Sequence, residues 1–310
     1  MIVSVKNLVK RYADLIALDH FNLDVKQGEI FGLLGPNGSG KTTAINCILS
    51  LLKYDKGSVE VFGKPMRPDS YDSKANIGIV LQNVAVFNEL TVLENISYFC
   101  GLYVPDKKIC ADMVEEAIVF TGLEDYRDFR PKKLSGGLLR RLNIACGIAH
   151  KPKLIIMDEP TVAVDPQSRN NILEGIQKLN AQGATVIYTS HYMEEVELIC
   201  SRVAIMDKGK VVASGTTGEL KNMIKTGEKI TTELFNVDKA LLEGIKSLPY
   251  VNSVEMTDHK LVVKSDHGRN NLGPVLDYLK AKNIPYGRIY SELPTLNDVF
   301  LEITGKELRD

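Results

Sequence analysis

No apolar run in the sequence approaches the ~18 or more residues that a bilayer-spanning helix needs, so the chain is not expected to cross a membrane. No excess of charge is present either. With 38 basic and 39 acidic residues the formal net charge is −1, which excludes the basic field that drives nucleic-acid binding. Five cysteines (Cys47, Cys100, Cys110, Cys146, Cys200) lack C-x-x-C spacing, and the five histidines lack metal-ligand spacing. Buried free thiols in a reducing compartment are therefore expected, in place of disulfides or a zinc site. Residues 1–6 lack the basic start and apolar stretch of a secretory signal, so a cytosolic chain is expected. Tandem duplication, low-complexity tracts and a coiled-coil insertion are all missing. What remains, at 44% hydrophobic and 25% charged residues, is an ordinary globular balance, and 310 residues suit two domains.

The first stretch, to about residue 82, is strand-rich. Residues 2–5 and 21–25 alternate apolar and polar side chains, as half-buried antiparallel strands do. Ile30-Phe31-Gly32-Leu33-Leu34 is continuously apolar and suits a strand covered on both faces. Apolar residues at Ala44, Ile45, Ile48, Leu49 and Leu52 then share one helical face, predicting a helix over 41–52. Residues 86–150 are mostly helical in pattern, broken at Pro105 and Pro131. Short apolar strands return at 154–157, 185–188 and 203–206, with a helix between the first two, the mark of a parallel α/β sheet. Lys208-Gly209 predicts a hairpin turn. From about 225 the order is strand (230–235), helix (239–247), strand (251–256), strand (261–264), helix (272–282), strand (286–290), the split βαβ order of a ferredoxin-like unit. A last helix opens on Thr295 and Asp298, spaced as a capping box.

Gly35-Pro36-Asn37-Gly38-Ser39-Gly40-Lys41-Thr42 is a full G-x-x-x-x-G-K-[ST] between a buried strand and an amphipathic helix. Its glycines let main-chain N–H groups curl around phosphate oxygens, and the helix N-terminus adds positive partial charge. Lys41 is expected to reach the β- and γ-phosphates of ATP. The Thr42 hydroxyl is expected to ligate Mg²⁺, and Thr43 is expected to contact the nucleotide with the rest of the loop. Leu154-Ile155-Ile156-Met157-Asp158-Glu159 is an apolar strand ending in two acids at the sheet edge next to that loop. Asp158 suits Mg²⁺, directly or through water, and Glu159 suits the handling of an attacking water. A third element, Leu134-Ser135-Gly136-Gly137-Leu138, opens another helix and offers a hydroxyl and free N–H groups to an anion.

Together these motifs resemble the nucleotide-binding domain of the ATP-binding cassette (ABC) family over about residues 2–220. The resemblance implies that Ser135, Gly136 and Gly137 complete the nucleotide site of a partner subunit in a head-to-tail dimer, most simply a homodimer with two complete sites. It further implies that Tyr12 stacks on adenine and that Gln82 senses Mg²⁺ and faces the membrane partner. Asp165 would communicate across the dimer, and His191 would contact the γ-phosphate. Two departures stand out: Leu138 where the family usually has glutamine, and Val162-Ala163-Val164 in place of Ser-Gly-Leu. Neither removes a phosphate ligand or an acid, so hydrolysis is expected to survive.

The fold class implied is a P-loop ABC-type α/β ATPase. It has a RecA-like parallel core, an antiparallel β subdomain and a helical subdomain at about 86–150. The domains expected are 1–224 for the cassette and 225–310 for a ferredoxin-like accessory unit. The short stretch between Lys41 and Ser135 leaves no room for the coiled-coil arm of repair and chromosome-organising members. A single cassette also differs from the paired cassettes of translation factors, so a transporter ATPase remains. The tail, ending Pro294-Thr295-Leu296-Asn297-Asp298-Val299-Phe300, resembles that of bacterial exporter ATPases of the daunorubicin-resistance type, whose permease is a separate membrane protein. The expected partners are thus a membrane permease and a second copy of the chain, with no nucleic acid, at the cytoplasmic face of the membrane. The alternative from another class is a stand-alone regulatory ATPase that acts without transport.

Overall fold

The computed structural model describes residues 1–234, 237–266 and 268–305, and divides into two compact units, the first running to Thr216 and the second beginning at Thr217. Elements of the first unit are β1 (Val3–Tyr12), β2 (Leu15–Val25), β3 (Ile30–Leu34), α1 (Lys41–Ile48), β4 (Lys56–Val61), β5 (Lys64–Pro65), α2 (Tyr71–Lys74) and β6 (Ile77–Val80). They continue with α3 (Val92–Gly101), α4 (Lys107–Thr121), α5 (Gly136–Ile148), β7 (Leu154–Asp158), α6 (Pro166–Ala181), β8 (Thr185–Ser190), α7 (Met193–Ile199), β9 (Arg202–Asp207) and β10 (Lys210–Gly215).

The main sheet has the order β10-β9-β3-β8-β7-β6, all parallel except the hairpin strand β10. Every residue of β3, β7 and β8 is buried, which is why β3, the first four residues of β7 and the middle of β8 read as apolar. Helix α7 lies so close beneath β3 that a Cβ on Gly32 would stand 2.9 Å from Val196 Cγ1. A second sheet, β2-β1-β4-β5, is antiparallel. Its inner face packs with α1 and the main sheet into one core that includes Val3, Leu8, Phe21, Phe31, Ile45 and Ile156.

Strands β1 and β2 run well past the expected residues 2–5 and 21–25. The register slips between Val5 and Leu8, where Asn7 takes φ 50°. That bulge changes the phase of the side chains, so the alternation that marks a strand breaks off in the sequence although the strand continues. Helix α1 is shorter than the expected 41–52, because Ser50 turns left-handed at φ 53°. Leu49, the C-cap of the helix, and Leu52 beyond it still pack on the core.

The helical subdomain packs α3, α4 and α5 around Val92, Ile96, Val114, Ile118 and Leu142. Thr91 and Glu94 form a capping box on α3, Asp106 caps α4, and Gly122 ends α4 in the left-handed region at φ 65°.

The second unit contains α8 (Thr217–Asn222), β11 (Thr226–Leu234), α9 (Lys239–Lys246), β12 (Val251–Thr257), β13 (Lys260–Asp266), α10 (Leu272–Ala281), β14 (Tyr286–Glu292) and α11 (Leu296–Thr304). Its antiparallel sheet has the order β12-β13-β11-β14, the arrangement of a ferredoxin-like split βαβ pair. Ile230, Leu241, Ile245, Leu261, Val275 and Leu279 form a separate core. The expected capping box is present, with Thr295 Oγ1 accepting from Asp298 N. Phe235, the last residue of the expected strand 230–235, lies outside the described residues. The division falls before α8 and not at 225, since α8 packs on α11 within this unit.

Candidate functional site

Strand β3 sits between β8 and β9, and the chain leaves its C-terminal end through Gly35–Gly40 into α1. Three glycines allow this path. A Cβ on Gly35 would stand 2.6 Å from Met206 O, and one on Gly40, at φ 108°, would stand 2.7 Å from Ala17 O. Gly38 has φ 78° with open space around it. Ser39 Oγ is buried, and among the described residues no hydrogen-bond partner satisfies it. The Lys41 ammonium is buried and donates to Gly35 O at 2.7 Å and Pro36 O at 3.2 Å. An unpaired hydroxyl, a buried ammonium and a loop of backbone amides at a helix N-terminus together suit phosphate oxygens.

Strand β7 delivers the two acids. Thr42 Oγ1 donates to Asp158 Oδ2 at 2.9 Å, and Thr189 Oγ1 donates to Asp158 Oδ1 at 2.6 Å. Glu159 has φ 48°, a left-handed conformation that costs a non-glycine residue energy and that its surroundings must enforce. Thr189 does this, its hydroxyl and carbonyl both accepting from Glu159 N at 3.0 and 3.2 Å. Three side chains converge on the Glu159 carboxylate. Lys41 Nζ lies 3.4 Å from Oε1, Gln82 Nε2 donates to Oε2 at 3.2 Å, and His191 Nδ1 lies 3.4 Å from Oε1 without hydrogen-bond geometry. Residues from β7, α1 and the loops after β6 and β8 are thus joined at one carboxylate.

Tyr12 lines the same cavity as Asn37, Lys41, Thr42, Thr43 and Glu159. It is 46% exposed, with Lys10 Nζ 5.0 Å from its ring centroid, so a face is available for stacking.

Ser135, Gly136, Gly137 and Asp165 are not among the residues lining that cavity. Ser135 caps α5, accepting from Leu138 N, and is exposed together with Gly136. Gly137 presses on the start of α6, where a Cβ would stand 2.5 Å from Ser168 Oγ and 3.3 Å from Asp165 Oδ2. Asp165 caps α6, and its bonds to Ser168 hold its carboxyl below the usual value. These four residues form a second cluster, with Ser135, Gly136 and Asp165 exposed and Gly137 buried behind them, that offers a hydroxyl and helix N–H groups. Of the two departures, Leu138 packs partly buried on the helical-subdomain core. Ala163 sits at φ 59°, a conformation that glycine adopts without strain.

Several residues with a part in the site were not singled out from the sequence. Arg140 on α5 is buried and donates to the main-chain carbonyls of Leu81 and Gln82 at 2.9 and 2.8 Å; burial pushes its guanidinium down from its ordinary value. Asn143 donates to Leu81 O at 3.1 Å and accepts from Ala85 N at 3.2 Å. Thr189 bridges the two acids as described. A buried carboxylate, Glu195, binds three hydroxyls behind His191. A buried Arg or Glu on an apolar helix face was the available signal, since such residues are rarely buried without partners.

Residues 18–162 match the family model described as "ABC transporter", and residues 215–304 match that of the "ATP-binding protein DrrA1-3-like, C-terminal domain". The chain is 38% identical over 309 residues to the linearmycin resistance ATP-binding protein LnrL of Bacillus subtilis, covering 98% of this chain and 99% of that one. It is 33% identical to the Nod factor export ATP-binding protein I of Cupriavidus metallidurans, over 100% of this chain and 99% of the relative. Among solved structures, the dimeric post-hydrolysis state of the ATP-binding cassette MJ0796 bound to ADP and Pi aligns with a TM-score of 0.64 at 28% identity, covering 69% of this chain and 98% of that one. CbiO1 of Clostridium perfringens, part of the ABC transporter complex cbiONQ, aligns with a TM-score of 0.66 at 27% identity, covering 80% and 96%.

Proposed function

The chain belongs to the ATP-binding proteins of ABC transporters, and on that premise we propose how its own residues bind and hydrolyse ATP. The convergence of Lys41, Gln82 and His191 on the Glu159 carboxylate carries the reading. Gly35 to Gly40 and Ser39 Oγ hold the phosphates, Lys41 balances the charge of the β- and γ-phosphates, and Tyr12 supports the adenine. Glu159 takes the proton of the attacking water, and His191 steadies the phosphate being transferred. The oxygen donors Thr42 Oγ1, Asp158 and the Gln82 amide suit a hard divalent cation, and Mg²⁺ bound there with the nucleotide would neutralise developing phosphate charge.

The second cluster of Ser135, Gly136, Gly137 and Asp165 would meet the nucleotide of a second copy of the chain, so that one dimer encloses two ATP molecules. Closure excludes water apart from the one held by Glu159. The loop from Gln82 toward Leu90 would then pass opening and closing to a membrane permease, with the chain at the cytoplasmic face. Among the described residues no helix is long and apolar enough to cross a membrane itself. Relatives that match nearly the whole chain are named for resistance and export, which supports outward transport and does not favour a stand-alone regulator.

The test is phosphate release by the purified chain with ATP and Mg²⁺, repeated with excess chelator. Hydrolysis that needs the metal is expected. Hydrolysis unaffected by chelation would remove Thr42, Asp158 and Gln82 from the metal role. Co-purification of a polytopic membrane protein from detergent extract tests the transport coupling, and a chain that stays monodisperse and alone would count against it.

A further inference from the structure

Glu195, on α7, is 4% exposed, and the scheme above gives it no task. Its Oε2 accepts from Tyr188 Oη at 2.6 Å, Thr161 Oγ1 at 2.8 Å and Ser190 Oγ at 3.1 Å. All three hydroxyl-bearing residues are buried, and burial, reinforced by Glu195, raises the Tyr188 phenol well above its ordinary value. Its Oε1 faces Arg169 Nε of α6 at 3.3 Å, outside hydrogen-bond geometry. A buried carboxylate is costly unless several donors meet it, and here donors come from separate segments of the chain.

Those segments are the ones that carry the hydrolytic residues. Thr161 lies in the loop that follows Glu159 and leads to Asp165, while Arg169 opens α6 just beyond it. Ser190 Oγ, besides donating to Glu195, accepts from Tyr192 N at 2.9 Å and so fixes the turn that presents His191. The Arg169 guanidinium carbon sits 4.9 Å from the Tyr192 ring centroid, and the Tyr192 ring is 4.1 Å from that of His191. A continuous set of contacts therefore runs from Glu195 through Ser190, Arg169 and Tyr192 to His191, which stands 3.4 Å from Glu159.

We propose that Glu195 is a positioning residue of the hydrolytic site, its carboxylate clasping the Thr161 loop, the start of α6 and the Ser190–Tyr192 turn so that His191 is held against Glu159. The proposal rests on the reading of Glu159 and His191 as hydrolytic residues. In Glu195→Gln the side-chain oxygen still accepts from hydroxyls, but the charge facing Arg169 is gone.

The test compares turnover and ATP KM for Glu195→Gln, Arg169→Met and His191→Ala, singly and combined. Glu195→Gln should lower kcat about 10-fold, inside the ~10²-fold that a 1 Å misplacement costs, and leave KM within about twofold. In the His191→Ala background it should lower kcat less than about twofold further, because the two residues act as one unit. Arg169→Met, which spares the buried hydroxyls, should show the same dependence on His191 if Glu195→Gln does not fold. Undiminished losses in the His191→Ala background would overturn the proposal and leave Glu195 as a packing residue. Nitrogen-15 NMR of the His191 ring decides separately: its signal should shift in Glu195→Gln while that of exposed His20 stays, and an unmoved His191 signal also overturns the proposal. Turnover unaffected by His191→Ala itself would fault the reading of the site, and the NMR result would still say whether Glu195 sets the place of the ring.

Discussion

Lys41 Nζ and Glu159 Oε1 lie 3.4 Å apart, and each side chain is more than nine-tenths buried. The cation of the phosphate loop and the carboxylate at the end of β7 thus share one small space, in which an incoming phosphate must compete for the lysine. Glu159→Gln keeps the shape and the Gln82 contact but removes the proton acceptor. Turnover should fall roughly 10²–10⁴-fold with ATP binding retained, and the variant should accumulate as an ATP-bound dimer in sedimentation. Hydrolysis within about threefold of wild type would show that Glu159 is not the base, since general-base loss is worth far more.

Ser135 and Gly136 are exposed on α5 while Lys41 is buried in the cassette, and on the proposed reading the two halves of the site would meet between copies. Ser135→Arg should abolish hydrolysis without preventing nucleotide binding by the single chain. Mixed with Lys41→Ala, it forms dimers in which one site carries both lesions and the other none. Partial activity should therefore return when the two inactive variants are combined. Proven mixed dimers with no recovery would mean that each chain is self-contained.

Thr189 Oγ1 serves both acids, donating to Asp158 and accepting from Glu159 N. Thr189→Val conserves shape and deletes both bonds, leaving a buried carboxylate oxygen short of its donor. A stability loss of about 1–3 kcal/mol in denaturant unfolding is expected, with a larger proportional loss of turnover because only the Thr189 carbonyl then holds Glu159 N at φ 48°. Thr189→Ser should retain most of both. Equal behaviour of Val and Ser would show the hydroxyl to be idle.

Burial raises Cys47 from 9.0 to about 11, Cys100 and Cys146 to about 12, and Cys200 further still. A thiol whose folded pKa exceeds its unfolded one contributes stability that is full below the unfolded value and is lost as pH rises through the folded value. Unfolding free energy should therefore fall between about pH 9 and 12 as unfolded thiols ionise first. At pH 8 the folded chain should resist alkylation at these four cysteines, and mass spectrometry after denaturation should find them free. Rapid labelling of Cys200 in the folded chain would contradict its burial.

How much could be seen in advance depended on whether the determinants are local. The buried strand β3, the Gly35–Thr42 loop and Asp158-Glu159 are contiguous, and their chemistry can be read from adjacent residues. The bulge at Asn7 hid most of β1, because a phase slip erases the alternation by which a half-buried strand is recognised. Helix α8 has six residues, too few to display an apolar face, and joins the second unit through packing on α11. Arg140 and Glu195 acquire their roles from partners far away in sequence, Leu81 and Gln82 for one and Thr161 and Arg169 for the other. Such convergence exists only in three dimensions.

The second unit has its own sheet and core, and the residues lining the phosphate-loop cavity all precede Thr217. Truncation after Thr216 should therefore leave a folded cassette that binds ATP. Truncation after Thr226 is the poorer choice, because it keeps α8 and the buried Ile224 while removing α11, on which α8 packs. The Glu302 carboxylate would also be lost, and with it the bonds to the amides of Lys225 and Thr226. The shorter chain should be the better behaved of the two, with an ATP affinity by calorimetry within about threefold of full length, since no ligand of the nucleotide is removed. Any loss should appear in dimer mass by sedimentation or in transport in cells. A folded truncation that no longer binds ATP but dimerises as before would refute this separation and assign the second unit to the nucleotide site.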